Sequence, residues 1–181
     1  PQDLVAKIKN ARTFNQGYEL GEVLEAARLD LDWHSLPADA GRQDVDAFET
    51  KALAAGGFDV ADVPPRYRSS YFLHIWSNGY SAGYYAYPWT RMLGQDAFAN
   101  FMSQGGLTRA NGQRFRDMVL SRGNTQDYAE MYRAWAGHDP QIQPYLDYYG
   151  LNGATAAPAP APAPAATPVP PAATVPTERG R

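Results

Sequence analysis

Apolar and charged residues follow a helical period over residues 15–33. Apolar side chains recur there at steps of three and four residues, with acidic and basic side chains between them. An α-helix turns once every 3.6 residues, so this spacing places the apolar side chains on one face. We predict a long amphipathic helix that ends before Pro37 and faces the core through these residues: Tyr18, Leu20, Val23, Leu24, Ala27 and Leu31.

A second helical pattern covers residues 43–54. Its apolar residues Val45, Phe48 and Leu53 are predicted to face inward. The pair Gly56-Gly57 ends this helix, because glycine accepts the left-handed conformation that closes a helix. The prolines that follow favour an extended connection.

Capping signals predict the helices of the C-terminal part. Thr108 caps a helix that runs through Leu120. Asn124 or Thr125 caps the next helix, and Pro140 starts a short final one. No segment alternates with a sustained period of two and β-branched enrichment, so no strand is predicted. The predicted fold class is mainly α, one domain or a piece of one, without repeats.

An aromatic block between His74 and Tyr87 is the main candidate for a site. If Tyr80 opens a helix, Tyr84 and Tyr87 follow at i+4 and i+7 and share its face, while Tyr85 points elsewhere. The preceding Ser-Asn-Gly turn lets the imidazole fold back over the helix start. One imidazole and three phenols are therefore predicted to converge.

Two interpretations of this block remain open from the residues alone. Aromatic side chains at helical spacing usually form core, with each phenol partnered at its edge. However, the small residues Ala82, Gly83 and Ala86 stand beside the phenols and indicate room for a ligand or another backbone. Phenols keep their proton at neutral pH and stabilise a forming oxyanion by donation. No metal-ligating pair and no base beside Ser77 or Ser81 accompanies them.

Composition narrows the classes of partner. The net charge is −3, from 16 basic and 19 acidic residues mixed along the chain, so we expect no nucleic-acid binding. No apolar run is long enough for a membrane span. The chain has no cysteine and only His34, His74 and His138, with no pair at i, i+4. No complete zinc site is therefore predicted within the chain.

The weaker site candidates have plain structural explanations. The glycine-rich residues 105–112 lack a preceding strand and a Lys-Ser/Thr pair, which favours a turn between helices over a nucleotide site. Acidic residues around Trp33 and His34 indicate a solvated helix face rather than a metal cluster; they are Asp30, Asp32, Asp44, Asp46 and Glu49. Structural ion pairs are expected of Arg66, Arg68 and Arg122, and a surface or capping role of His138.

The composition of the two ends of the sequence leads to two further predictions. Residues 154–181 hold 8 of the 15 prolines and no aromatic residue, which predicts a disordered, extended Pro/Ala-rich tail after a folded part of residues 1–153. No initiator Met or leader precedes Gln2, so we expect the sequence to begin inside a longer protein.

Four motifs occur in an order and spacing that match a known family. They are residues 63–74 (VPPRYRSSYFLH), 74–87 (HIWSNGYSAGYYAY), 104–116 (QGGLTRANGQRFR) and 120–124 (LSRGN). Over residues 4–151 the chain closely resembles the C-terminal part of the M3 zinc metallopeptidases, and within them the bacterial peptidyl-dipeptidase branch. The resemblance implies a helical, zincin-like catalytic domain whose zinc is held by a His-Glu-Xaa-Xaa-His helix and a downstream Glu earlier in the polypeptide.

The resemblance also implies roles for residues of the aromatic block. His74, Gly79 and Tyr80 look like substrate-binding residues of the family, and Tyr80 like its mobile tyrosine. Tyr84 and Tyr87 look like its catalytic tyrosines, with Tyr87 the first choice as oxyanion donor.

The sequence departs from the family pattern at two places in this region. Ser77-Asn78 replaces a glycine-rich stretch of the family loop, which is expected to slow closure of that loop at worst. Pro88 is expected to kink the helix that carries Tyr87.

The expected function follows from this resemblance. The chain is predicted to be the C-terminal fragment of a zinc-dependent peptidyl-dipeptidase, a hydrolase of short peptides, and to be inactive alone because its zinc ligands lie elsewhere. A non-catalytic helical peptide-binding module and a degenerate paralogue remain alternatives. We expect a monomer in the cytoplasm, although the Pro/Ala tail is compatible with a bacterial envelope.

Overall fold

A computed structural model describes residues 1–151 of the chain, and these residues form eight α-helices and no strand. The mainly α prediction is therefore confirmed. Residues 152–181, which include the predicted tail, lie outside the described residues. The helices are α1 Gln2–Ala11, α2 Gln16–His34, α3 Val45–Gly56, α4 Leu73–Ser77, α5 Ala86–Ser103, α6 Arg109–Phe115, α7 Tyr128–Ala136 and α8 Gln143–Tyr149.

Local capping chemistry sets several of the helix ends as predicted. The Thr108 hydroxyl accepts a hydrogen bond from the Asn111 backbone N–H at 3.2 Å and starts α6. A π-helical turn, Arg116–Leu120, extends α6 to the predicted end at Leu120. At the end of α3, Gly57 takes the left-handed conformation with φ 74°.

The predicted starts of the last two helices are wrong. Asp127, rather than Asn124 or Thr125, caps α7, because its carboxylate accepts the Glu130 backbone N–H at 2.9 Å. The final helix α8 starts at Gln143 with a proline in its first turn, three residues later than the predicted start at Pro140.

The helical period predicted the wrong burial for some residues. Tyr18, Leu31 and Val45 were predicted to face the core, but they are 44, 39 and 40% exposed. Conversely, the carboxylates of Glu25 and Asp30 are buried. The buried face of α2 is therefore rotated toward these carboxylates, and hydrogen bonds to backbone N–H groups compensate the burial of Asp30.

The helix α2 lies between two apolar clusters. One cluster contains Ala26, Ala27, Phe72, Ile75 and Tyr84, with Trp33 and Tyr67 packed against it. The other contains Leu29, Ala52 and Leu53, with Phe48 and Phe58 packed against it. The first cluster joins α2 to the aromatic block, so the core itself fixes one side of the candidate site.

A third group of aromatic side chains stabilises the C-terminal half. Trp135 of α7 is 2% exposed, and its ring centroid lies 4.8 Å from that of Phe115 and 5.5 Å from that of Phe101. The helix α8 packs along α5. Within the described part of the chain, no helix is long and apolar enough to cross a membrane.

Candidate functional site

The tyrosine segment is not helical where the sequence predicted a helix. Residues 81–85 form consecutive turns, and α5 begins only at Ala86. The backbone reverses through Gly79, with φ 77°, and Ala82, with φ 54°. Left-handed residues interrupt a helix, so Tyr80 does not open one.

The predicted kink at Pro88 is also wrong. Pro88 is the third residue of α5, where backbone N–H groups have no partner within the helix in any case. Its missing N–H therefore costs no helical hydrogen bond. Within Ser77-Asn78-Gly79, the positive φ falls on Gly79 and not on Asn78, whose φ is −110°. The effect of Ser77-Asn78 on loop closure stays a prediction.

The turns nevertheless bring the predicted imidazole and phenols together. The ring centroid of His74 lies 5.9 Å from that of Tyr84 and 6.1 Å from that of Tyr80. Tyr87 lies 4.8 Å from Tyr84, and it stacks on Tyr80 at 5.8 Å. The four side chains form one continuous aromatic surface. A short loop, rather than one helix face, produces this arrangement.

A pocket of about 450 Å³ opens beside this surface. His74, Tyr84 and Tyr87 line it, whereas Tyr80 flanks it by stacking on Tyr87 and Gly79 is not part of its wall. The opposite wall comes from α2, through Glu19, Glu22 and Val23.

The wall also includes residues that the sequence analysis did not assign to a site. Tyr67, Arg66 and Arg91 line the same pocket. The Arg66 guanidinium donates to Glu22 at 2.8 Å, and Arg91 donates to the Tyr149 hydroxyl at 3.0 Å. Arg91 follows Tyr87 at i+4, so helical spacing was a signal for placing it on the same face.

The environment keeps the phenols protonated. Burial, together with the neighbouring Tyr67, raises the pKa of Tyr84 to about 12. The Tyr80 hydroxyl and a smaller effect of burial raise the pKa of Tyr87. Both groups are therefore hydrogen-bond donors at neutral pH. Tyr84 is 4% exposed and Tyr87 is 41% exposed, so Tyr87 is the more accessible donor.

The site contains a free imidazole nitrogen and no metal cluster. His74 Nδ1 is buried and has no hydrogen-bond partner among residues 1–151. In the same described residues, no three His, Cys, Asp or Glu side chains are grouped as ligands for a metal ion. The pocket is thus equipped to donate and accept hydrogen bonds, and the residues present do not fit a bound zinc.

The other sequence candidates are structural in the described part. Arg68 pairs with Glu49 at 2.6 Å, and Arg122 donates to the Asp117 carbonyl at 2.7 Å. His138 Nδ1 contacts the backbone carbonyl of Asp139 at 2.8 Å. The glycine-rich residues 105–112 form a turn followed by α6. The predicted solvated acidic face is wrong for two members, since Asp30 and Glu49 are 0 and 5% exposed.

Glu25, like Asp30, is a buried carboxyl of α2, and we expect it to make the stability of the fold depend on pH. Its Oε2 has no partner among the described residues, and burial raises the pKa from 4.5 to about 7, although Arg68 opposes the shift. The folded protein therefore binds this proton more tightly than the unfolded protein does. The Glu25 carboxyl therefore contributes to the free energy of unfolding below its unfolded pKa, and this contribution is lost as pH rises through about 7.

Replacing this carboxyl by an amide should remove that pH dependence. We expect Glu25→Gln to match the wild type at about pH 4, below the unfolded pKa of 4.5, and to be more stable at pH 8 by on the order of 2 kcal/mol. Denaturant midpoints of the two full-length proteins at both pH values measure the difference. Glu19→Gln, at an exposed position of α2, is the control. An equal effect of both substitutions would contradict the burial argument.

The side chains of the pocket define a class of site. A pocket lined by three phenols, an imidazole and two guanidinium groups offers donors to carbonyl and carboxylate oxygens, which are the polar groups of peptides. The sequence profile described as peptidase family M3 matches residues 1–151. The chain belongs to this family.

Individual relatives agree with the family profile. The chain is 54% identical over 152 residues to a dipeptidyl carboxypeptidase of Escherichia coli and, at the same identity and length, to one of Salmonella typhimurium. It is 32% identical over 156 residues to oligopeptidase A of Escherichia coli. Each match covers 84% of this chain and 22% of the relative. The chain thus spans about a fifth of the length of these relatives.

Proposed function

We propose that this chain forms the substrate-binding and oxyanion-stabilising wall of an active-site cleft in a zinc-dependent peptidase that hydrolyses short peptides. The observation that carries the proposal is the convergence of His74, Tyr84 and Tyr87 on one pocket. Family membership supplies the reaction class. The geometry of the pocket supports the choice of these residues.

Each residue has a role that its environment supports. His74 lines the pocket and binds a backbone group of the substrate there, and Tyr80 holds the extended peptide beside it. Gly79 provides the reversal that brings Tyr80 over the pocket. When water attacks the scissile carbonyl carbon, the carbonyl oxygen becomes an oxyanion. Tyr87 donates a hydrogen bond to it, with Tyr84 as a second donor.

The zinc of this peptidase is proposed to be bound by residues outside this chain. Zinc supplies an activated water and polarises the carbonyl when it is bound. No group of metal-ligating side chains lies within residues 1–151. The isolated chain is therefore expected to be inactive.

We propose that the intact protein releases dipeptides from the C-terminus of its substrates. Two relatives with 54% identity are dipeptidyl carboxypeptidases, whereas oligopeptidase A is 32% identical. The guanidinium of Arg91 lines the pocket and can pair with the free carboxylate of a substrate, whereas the guanidinium of Arg66 is already paired with Glu22. We further propose that the protein acts as a monomer in the cytoplasm.

Product analysis of the full-length protein tests this proposal. We expect an N-acetylated hexapeptide with a free carboxylate to yield its C-terminal dipeptide, identified by mass spectrometry. The same peptide with a C-terminal amide should be cleaved at least about tenfold more slowly, because the charge is lost. Removal of zinc by a chelator should abolish both reactions, and residues 1–181 alone should give no product.

Different outcomes would contradict different parts of the proposal. Internal cleavage that does not depend on the terminal carboxylate would exclude the dipeptidyl activity. Activity that survives zinc removal would exclude the metal. Peptide binding without any cleavage by the full-length protein would favour the non-catalytic binding module, or a degenerate paralogue if the upstream zinc motif is broken.

A further inference from the structure

A buried carboxylate of α2 binds the backbone of residues 80–85, which we call the tyrosine loop. Asp30 is 0% exposed. Its Oδ1 accepts the backbone N–H of Ala82 at 2.8 Å, and its Oδ2 accepts the backbone N–H of Tyr84 at 2.8 Å. Each carboxylate oxygen thus contacts a different residue of the same loop. His34, one turn further along α2, places Nδ1 2.8 Å from Oδ1.

These two hydrogen bonds act where the loop conformation is least favourable. Ala82 has φ 54°, a left-handed conformation that costs a non-glycine residue on the order of 1 kcal/mol. Hydrogen bonds from backbone N–H groups to a buried carboxylate are stronger than neutral ones, and they compensate such a cost. The Asp30 carboxylate therefore selects one conformation for the segment between Tyr80 and Tyr84.

The conformation of this segment decides where the phenols point. Because α5 begins only at Ala86, no continuous helix relates Tyr80 to Tyr84 and Tyr87. Their relative placement depends on the turn through Ala82. The N–H that Asp30 binds on Tyr84 belongs to a residue of the pocket wall itself.

We propose that Asp30 is a positioning residue of the active site, which aligns the phenols of Tyr84 and Tyr87 with the substrate by fixing the backbone between Tyr80 and Tyr84. The proposal rests on the proposed function of the pocket. Asp30 itself does not line the pocket and contacts no reacting atom. It acts only through the loop.

Glu49 offers a matched comparison for this role. It is also a buried carboxylate, 5% exposed, and its Oε2 accepts the backbone N–H of Ser69 at 2.7 Å. It pairs with Arg68 and does not line the pocket. Substituting either carboxylate by an amide removes an acceptor and places an NH₂ group against a backbone donor. Only the substitution at Asp30 affects the tyrosine loop.

Kinetics of the full-length protein test the proposal. We expect Asp30→Asn to lower kcat at least about tenfold while KM changes by less than about threefold, because misaligned donors weaken binding of the transition state more than that of the substrate. Glu49→Gln should leave kcat within about twofold of wild type, even if it lowers the denaturation midpoint equally. Hydrogen exchange of a peptide covering residues 80–85 should accelerate in Asp30→Asn only.

A double-mutant cycle separates positioning from a general loss of structure. If Asp30 acts through the phenols, Asp30→Asn should lower kcat by less than about threefold in a Tyr87→Phe background, since the donor is already gone. Full additivity of the two effects would overturn the proposal. An equal fall of kcat in Glu49→Gln, or unchanged exchange of the loop in Asp30→Asn, would also overturn it.

A second variant covers the case in which Asp30→Asn does not fold. Replacing Ala82 by lactic acid through nonsense suppression exchanges its N–H for an ester oxygen and leaves every side chain in place. We expect a fall in kcat of at least about threefold and faster exchange of the loop. No change in either would refute the positioning role. If Tyr87→Phe alone leaves kcat unchanged, the proposed role of Tyr87 as oxyanion donor fails instead, and loop exchange still tests whether Asp30 orders the segment.

Discussion

Replacement of Tyr87 by phenylalanine in the full-length protein is expected to lower kcat by about 10²–10³, the usual effect of removing one oxyanion donor. The substitution deletes one hydroxyl and preserves the ring that stacks on Tyr80 at 5.8 Å and contacts Tyr84 at 4.8 Å. The change should therefore affect the transition state rather than the fold. Steady-state kinetics with a short peptide measure it, and KM should change little.

The neighbouring tyrosine provides a control for this substitution. Tyr85 is 49% exposed and does not line the pocket, so Tyr85→Phe should leave kcat within about twofold of wild type. Zinc content should be unchanged in both variants. Turnover of Tyr87→Phe within a factor of two of wild type would show that Tyr87 is not the donor. In that case Tyr84, which lines the same pocket, would be tested next.

The sequence predicted three residues of the pocket wall, although neither Tyr67 and Arg91 beside them nor the backbone that joins them. The identities and short separations of His74, Tyr84 and Tyr87 led to the correct prediction that they converge. The predicted helix from Tyr80 was wrong, because the left-handed conformation of Ala82 depends on hydrogen bonding to a distant carboxylate. Alanine at such a position gives no local signal, unlike glycine.

Hydrogen-bond partners distant in the sequence also explain why burial along α2 was predicted incorrectly. Asp30 was assigned to a solvated face because aspartate is seldom buried without a partner. Its partner Ala82 lies 52 positions further along the chain, which composition and periodicity do not reveal. The mainly α fold and the Thr108 cap follow from local patterns and were predicted correctly. The sequence therefore predicted features set within a few residues better than those set by tertiary contacts.

The core and the pocket share an aromatic side chain, which links stability to function. Phe72 is 0% exposed, and its ring centroid lies 5.0 Å from that of Tyr67 and 4.9 Å from that of Tyr84. Both tyrosines line the pocket, so Phe72 supports its wall from inside. We expect Phe72→Ala to lower the free energy of unfolding of this region by about 3–5 kcal/mol, through lost burial and a residual cavity.

A substitution away from the pocket that lowers the free energy of unfolding by a similar amount tests this link between stability and function. Trp135 is 2% exposed and packs on Phe115 at 4.8 Å in the C-terminal half, and it does not line the pocket. Trp135→Ala should therefore destabilise the full-length protein by a similar amount, about 3–5 kcal/mol, measured as the shift of the denaturant midpoint.

Turnover per folded molecule then distinguishes the two variants. Phe72→Ala should lower kcat by at least about tenfold, because Tyr67 and Tyr84 lose the ring against which they are aligned. Trp135→Ala should retain kcat within about threefold under conditions where both proteins are folded. Equal kcat values in the two variants would show that the tyrosines keep their alignment without Phe72. The loop anchored by Asp30, and not the aromatic core beneath it, would then be what holds the pocket wall in place.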